Sequence, residues 1–148
     1  MWRKMEKEIH SGARRKDKLF ILSGKWKKFV RKQSGYKIYR IDGSWVRHNL
    51  LFYFGHGGHG FVHEFIPTNE IWVSSYHPYE GKGSMANCVC KLHKKGQKMS
   101  DNYFNSTALH ELTECNQMKN GKTYWAAHNI ALKAEHKAGL VKNPYSDL

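Results

Sequence analysis

Apolar and polar positions along the chain follow two different periods. Up to about Ser74 they alternate over short runs, and from Ser100 onward they recur at helical spacing. Tyr36-Lys37-Ile38-Tyr39-Arg40-Ile41 alternates and is rich in β-formers, which predicts a strand. Asp42-Gly43 signals a turn, and Ser44 to Asn49 predicts a short helical turn with Ser44 as N-cap. Leu50 to Phe54 reads as a second strand leading into the loop Gly55-His56-Gly57-Gly58-His59-Gly60. Phe61 to Ile66 reads as its pairing partner, ended by Pro67-Thr68-Asn69, and Glu70 to Ser74 as a further strand. On a strand, Phe61, His63 and Phe65 share one face and Val62, Glu64 and Ile66 the other. His63-Glu64 is then no helical metal motif.

The helical period begins at Ser100-Asp101, an N-cap and first-turn signal, and predicts a helix to about Asn120 with Gly121 at the C′ position. Thr123 caps a second helix that ends near Gly139. Tyr124, Ala127, His128, Ala131, Leu132 and Glu135 lie on one face of it. The class this predicts is α+β: a small antiparallel sheet of three or four strands followed by a C-terminal helical hairpin. A chain of 148 residues suits one domain. The reading divides it into a basic extension over 1–33 and a single α+β domain over 34–148, with an inserted loop near 75–99.

Charge changes the picture at the N-terminus. The net charge is +13 and the pI near 9.7. Residues 1–33 hold twelve Lys/Arg against Glu6, Glu8 and Asp17, so nine of the thirteen net charges fall there. Trp2, Phe20, Trp26 and Phe29 are interleaved with Arg14, Arg15, Lys16, Lys27, Lys28, Arg31 and Lys32. Such a segment is either a nucleic-acid-binding arm, with cations on phosphates and rings available for stacking, or a solubilising extension. Three cysteines make a poor disulfide framework and fit a reducing compartment. No apolar run is long enough for a signal peptide or a bilayer span. A soluble, cytoplasmic protein with no membrane partner is the expectation.

The candidate chemistry is concentrated in the hairpin. His110 and Glu114 are i, i+4 neighbours, about 5–6 Å apart at Cβ, a separation at which two donors can grip one divalent ion. Glu111 sits beside them. This resembles the zincin helix H-E-x-x-H, in which two residues bind zinc and the intervening Glu is the general base. Here Glu114 stands where the second histidine would be, and zinc also accepts carboxylates. The hairpin would bring in His128 as third ligand. Glu135, two turns or about 10.5 Å beyond His128, suits a supporting role. In the glycine loop, His59 is a candidate to face a metal or an anionic group, whereas His56 reads as solvated. Cys88, Cys90 and His93 offer zinc-competent donors, but without a partner pair they do not close a tetrahedral site, so the two cysteines read as thiols of the inserted loop.

The chain also resembles a family of small uncharacterised bacterial and phage proteins. The likeness rests on Ile41 to Arg47, Gly57-Gly58-His59, Phe65 to Val73, Leu109 to Glu114, Met118 to Gly121 and Tyr124 to Glu135, about half the chain. The resemblance supports the fold and brings His59 and Glu70 forward as polar motif positions, Glu70 in a supporting role. The lead expectation is a zinc-dependent, zincin-like hydrolase. Its ligands would be His110, Glu114 and His128, with zinc or another divalent metal bound. Glu111 would be the general base, and His59 a fourth ligand or a transition-state stabiliser. The alternative is a nucleic-acid-binding protein, or a metal-dependent nuclease, using the basic arm.

Overall fold

The computed structural model describes residues 26–51, 54–77 and 98–141. Four strands, β1 (Lys27–Gln33), β2 (Tyr36–Ile41), β3 (Gly57–His59) and β4 (Glu70–Ser74), form one sheet in the order β1-β2-β4-β3. A short helix α1 (Gly43–Asn49) follows β2, and α2 (Asp101–Lys119) and α3 (Tyr124–Ala138) close the described part of the chain. The α+β class with a C-terminal helical hairpin is as expected. The sheet is mixed: β1 and β3 pair antiparallel with their neighbours, while β2 and β4 run parallel. A parallel pair needs a crossover, and residues 42–69 supply it.

Each sheet face buries a separate core. Tyr36, Ile38, Ile71 and Val73 pack with Met99, Tyr103, Phe104, Ala108, Leu112 and Cys115 of the hairpin side. On the opposite face Ile41, Val46, Phe54, Ile66 and Trp72 pack together, joined by Trp26, Trp45 and Phe65. The period-2 alternation of β2 and β4 is what feeds both cores. Membrane crossing by a helix is excluded for the described residues, none of whose helices is long and apolar enough.

Several local expectations change. The sheet begins at Lys27, inside the stretch read as a basic extension, because β1 pairs with β2 through a bulge between Phe29 and Arg31. Asp42 rather than Ser44 caps α1: its carboxylate accepts from Ser44 N at 3.0 Å and Trp45 N at 3.3 Å. Leu50 and Leu51 do not continue into a strand, since both backbone N–H groups fold back onto the Val46 carbonyl. The strand expected over Phe61 to Ile66 is a series of turns. Val62 and His63 donate to the His59 carbonyl and Ile66 to that of His63. Phe65 and Ile66 both join the same core, which strand alternation forbids. The hairpin connection matches its signals, with Ser100 accepting from Tyr103 N, Thr123 from Ala126 N, and Gly121 at φ 94°. Cys88, Cys90, His93, Arg14, Arg15 and Lys16 lie outside the described residues.

Candidate metal centre

Three elements deliver the polar cluster. α2 contributes His110, Glu111 and Glu114 from its buried face. α3 lies close against it because its buried stripe is small, Ala127 and Ala131, and ends in Glu135. β3 contributes His59 from the sheet edge. Gly57 makes that approach possible: a Cβ there would stand 2.8 Å from the Trp72 carbonyl oxygen and 3.2 Å from both Glu111 Cγ and Thr107 Cγ2.

Glu114 is the hub. Its Oε2 lies 3.1 Å from His110 Nε2 and 2.8 Å from His128 Nδ1. Its Oε1 lies 2.8 Å from His59 Nε2. His110 turns its other nitrogen, Nδ1, to the Glu135 carboxylate. Glu111 Oε2 is 4.0 Å from His59 Nε2. Apart from the rim, where His128 keeps 12 % of its side-chain surface, the cluster is buried. Donor atoms of His110, Glu114 and His128 lie within 4.8 Å of one another, as do those of His59, Glu111 and Glu114. Both groups could hold a metal ion, and they share one carboxylate.

The electrostatics follow from this crowding. Burial works against a charged Glu114, but hydrogen bonds from His110, His59 and His128 outweigh it and hold the carboxyl at about 2. Glu111 receives no such set of bonds. Burial and the Glu114 charge beside it push it up to about 7, against the pull of His110 and His59. Burial opposes a charged His110, yet its bonds to Glu114 and Glu135 and the Glu111 charge raise it to about 10. For His59, burial again opposes the charge, while hydrogen bonds to Cys115 and Glu114 and the charge of Glu111 raise it to about 10. The Phe61 N–H donates to His59 Nδ1 at 3.2 Å, which works the other way because it needs a lone pair there. In either protonation state His59 Nε2 carries a proton toward Glu114. His63 lies close by but is pushed down to about 4 by burial and the His59 charge, and packs on Phe65 and Phe54.

The structure brings together His110, Glu114, His128, Glu111, His59 and Glu135. It does not bring Glu70 to them. That carboxylate accepts from Trp72 Nε1 at 2.9 Å and pairs with Lys27 at 2.6 Å on the far face of the sheet. Lys27, Lys28, Arg31 and Lys32 stand on β1. Two features escaped the sequence reading. Cys115 lies near enough to His59 to favour its charged form, and the only local signal was its place one residue after Glu114. His56, read as solvated, is buried, with Nε2 3.2 Å from His77 Nδ1 and its ring against Tyr103. What the fold and site define is an α+β domain with a buried His/Glu group able to hold a metal ion. No family model, curated protein or solved structure matches the chain.

Proposed function

We propose that the protein is a zinc-dependent hydrolase of zincin-like chemistry, with His110, Glu114 and His128 as ligands and Glu111 as general base. The observation that carries this reading is the convergence of those three side chains' donor atoms within 4.8 Å. Two histidines and one glutamate are the donor set of several zinc peptidases, which keep a fourth position open. In them the glutamate usually comes from outside the H-E-x-x-H turn. Here the glutamate occupies the i+4 position and the second histidine comes from α3, so the set is the same with two members exchanged.

Zinc held there supplies Lewis-acid polarisation of a carbonyl or of water. The remaining work falls to the chain. Glu111, buried beside Glu114 on the same turn of α2, is placed to take a proton from attacking water and return it to a leaving group. Glu135 fixes the His110 ring through Nδ1, the usual arrangement of a ligating histidine. His59 donates to Glu114 Oε1, leaving Oε2 facing His110 and His128. With its Nε2 2.8 Å from Glu114 Oε1, His59 suits a donor that positions Glu114 or stabilises developing charge.

Metal analysis of the purified protein beside His110→Ala and His128→Ala tests the reading. Stoichiometric zinc in the wild type, lost in both variants, is expected; a metal-free wild type prepared without chelator would sink it. Glu111→Gln should keep its zinc and lose about 10²- to 10⁴-fold in hydrolytic rate, and undiminished activity would remove Glu111 from its role.

A further inference from the structure

The cluster on α2 and α3 leaves the opposite side of the sheet unexplained. Register pairs Lys27 with Ile41, Phe29 with Tyr39 and Lys32 with Lys37. Paired residues point to one face, and Ile38, next along β2, packs toward α2. These six therefore share the face turned away from the hairpin. The Phe29 and Tyr39 rings meet edge to face at 5.6 Å, and Phe29 is 51 % exposed. Lys27 lies 4.3 Å from the Tyr39 ring centroid and is neutralised by Glu70. Lys32 and Lys37 are different. They stand directly opposite each other, and among the described residues no carboxylate pairs with either. Like charges opposed across two strands destabilise the pair, and an anion between them removes the repulsion.

We propose that this face of β1 and β2 binds single-stranded nucleic acid. An unstacked base would lie on Phe29 beside Tyr39, and the backbone phosphate would be held between Lys32 and Lys37. An exposed ring flanked by cations is the combination that single strands require: stacking for the base and charge for the backbone. A duplex offers phosphates but keeps its bases stacked, so the ring would contribute nothing there. A net charge of +13 adds long-range attraction to any polyanion, and the aromatic contribution is what separates this surface from simple attraction. The proposal is independent of the metal centre, which lies against the other face.

Fluorescence anisotropy of the full chain with a labelled single strand of about 12 nucleotides, within the span one small domain covers, tests it. Phe29→Ala should weaken binding roughly 5- to 150-fold, while Phe29→Tyr, which keeps the ring, should bind as the wild type does. Lys32→Ala combined with Lys37→Ala should reduce the log–log salt slope by about 1.4 between about 50 and 200 mM salt. A duplex of equal length should bind more weakly and ignore Phe29→Ala. Unchanged single-strand affinity in a folded Phe29→Ala protein overturns the proposal, as does a wild type that binds no oligonucleotide at the lower salt. Phe29-dependent binding to anionic lipid vesicles, with oligonucleotide binding insensitive to Phe29, would assign the face to a membrane surface and overturn it too. Should Phe29→Ala not fold, the lysine pair gives a second route, and an unaltered salt slope there has the same consequence.

Discussion

The two faces of the sheet bury cores of opposite character. On the face that meets α1, rings do the packing. Trp26 stacks on Trp45 at 4.0 Å and meets the edge of Trp72 at 5.3 Å, with Phe54 and Ile66 filling in beneath. On the face that meets α2, an apolar layer runs from Tyr103 to Cys115 and then gives way to His59, His110, Glu111, Glu114 and Glu135, all buried. Burying charge costs free energy unless each charge is answered by another. The aromatic core therefore stabilises the fold without conditions, whereas the His/Glu core does so only while every member is present or a metal replaces its protons.

The sharpest way to break the comparison is to delete one member from each side. Glu114→Ala strips three histidines of their shared acceptor and should cost about 3–5 kcal/mol, the penalty for orphaning buried charge. Phe54→Ala leaves a cavity in the aromatic core and should also cost about 3–5 kcal/mol. Denaturant unfolding will give similar losses; metal content separates them. Phe54→Ala should retain full zinc per folded molecule, and Glu114→Ala should retain none. Equal zinc in the two variants would mean that Glu114 is no ligand.

Metal and pH sharpen the contrast at a smaller scale. In the metal-free protein His110 is raised from 6.5 to about 10. Its contribution is complete below pH 6.5 and is lost as pH rises through 10. Glu111, raised from 4.5 to about 7, loses its contribution as pH rises through 7. Glu114, lowered from 4.5 to about 2, has the opposite sense, present above 4.5 and lost as pH falls through 2. His63, lowered from 6.5 to about 4, offsets Glu111 over the interval between, so metal-free stability should be greatest from about pH 4.5 to 6.5 and decline toward alkaline pH as His110 and His59 lose their protons. Zinc needs neutral imidazoles, so its stabilisation should grow over the range in which the metal-free protein weakens. At about 100 times the dissociation constant it reaches about 2.7 kcal/mol. Thermal melts with and without zinc at several pH values check this, and a zinc effect that shrinks as pH rises would contradict it.

What the sequence made legible follows the range of the interactions involved. The hairpin was readable from Ser100, Gly121 and Thr123 because caps and helical periodicity act within a few residues, and the i, i+4 relation of His110 to Glu114 is local in the same sense. Its connection to His128 followed from helical phase. Leu50 to Ile66 was read as two paired strands because an apolar run precedes a glycine loop, whereas Leu50 and Leu51 fold back onto Val46, and the chain turns after His59 and buries Phe65 and Ile66 together. Glu70 was misassigned because motif position does not reveal which sheet face a side chain meets. Lys27 to Gln33 read as a charged tail because its lysines masked a strand whose partner, β2, is fixed only by tertiary pairing. His59 was found as a candidate, but its part as the donor to Glu114 Oε1 depends on a contact 55 positions along the chain.

The smallest perturbation tests how closely the two sides of the site must approach. Gly57 lies where β3 passes against α2. An alanine Cβ there would stand 2.8 Å from the Trp72 carbonyl oxygen and 3.2 Å from Glu111 Cγ. The carbonyl belongs to the β3–β4 pairing and cannot swing aside, so the strand must move. Overpacking of this kind costs about 1–3 kcal/mol, less than either deletion above. Its signature is local: β3 carries His59 away from Glu114 Oε1, while His110 and His128, fixed by the hairpin, keep their approach to Oε2. Gly57→Ala should therefore keep its zinc, bind it more weakly by about 10-fold or more, as expected when a partner that orients a ligand is lost, and leave the aromatic core unaltered. Zinc titration beside near-ultraviolet circular dichroism of the tryptophans measures both halves. An unchanged zinc affinity in a protein destabilised as expected would show that His59 does not position Glu114, and that the hairpin alone sets the site.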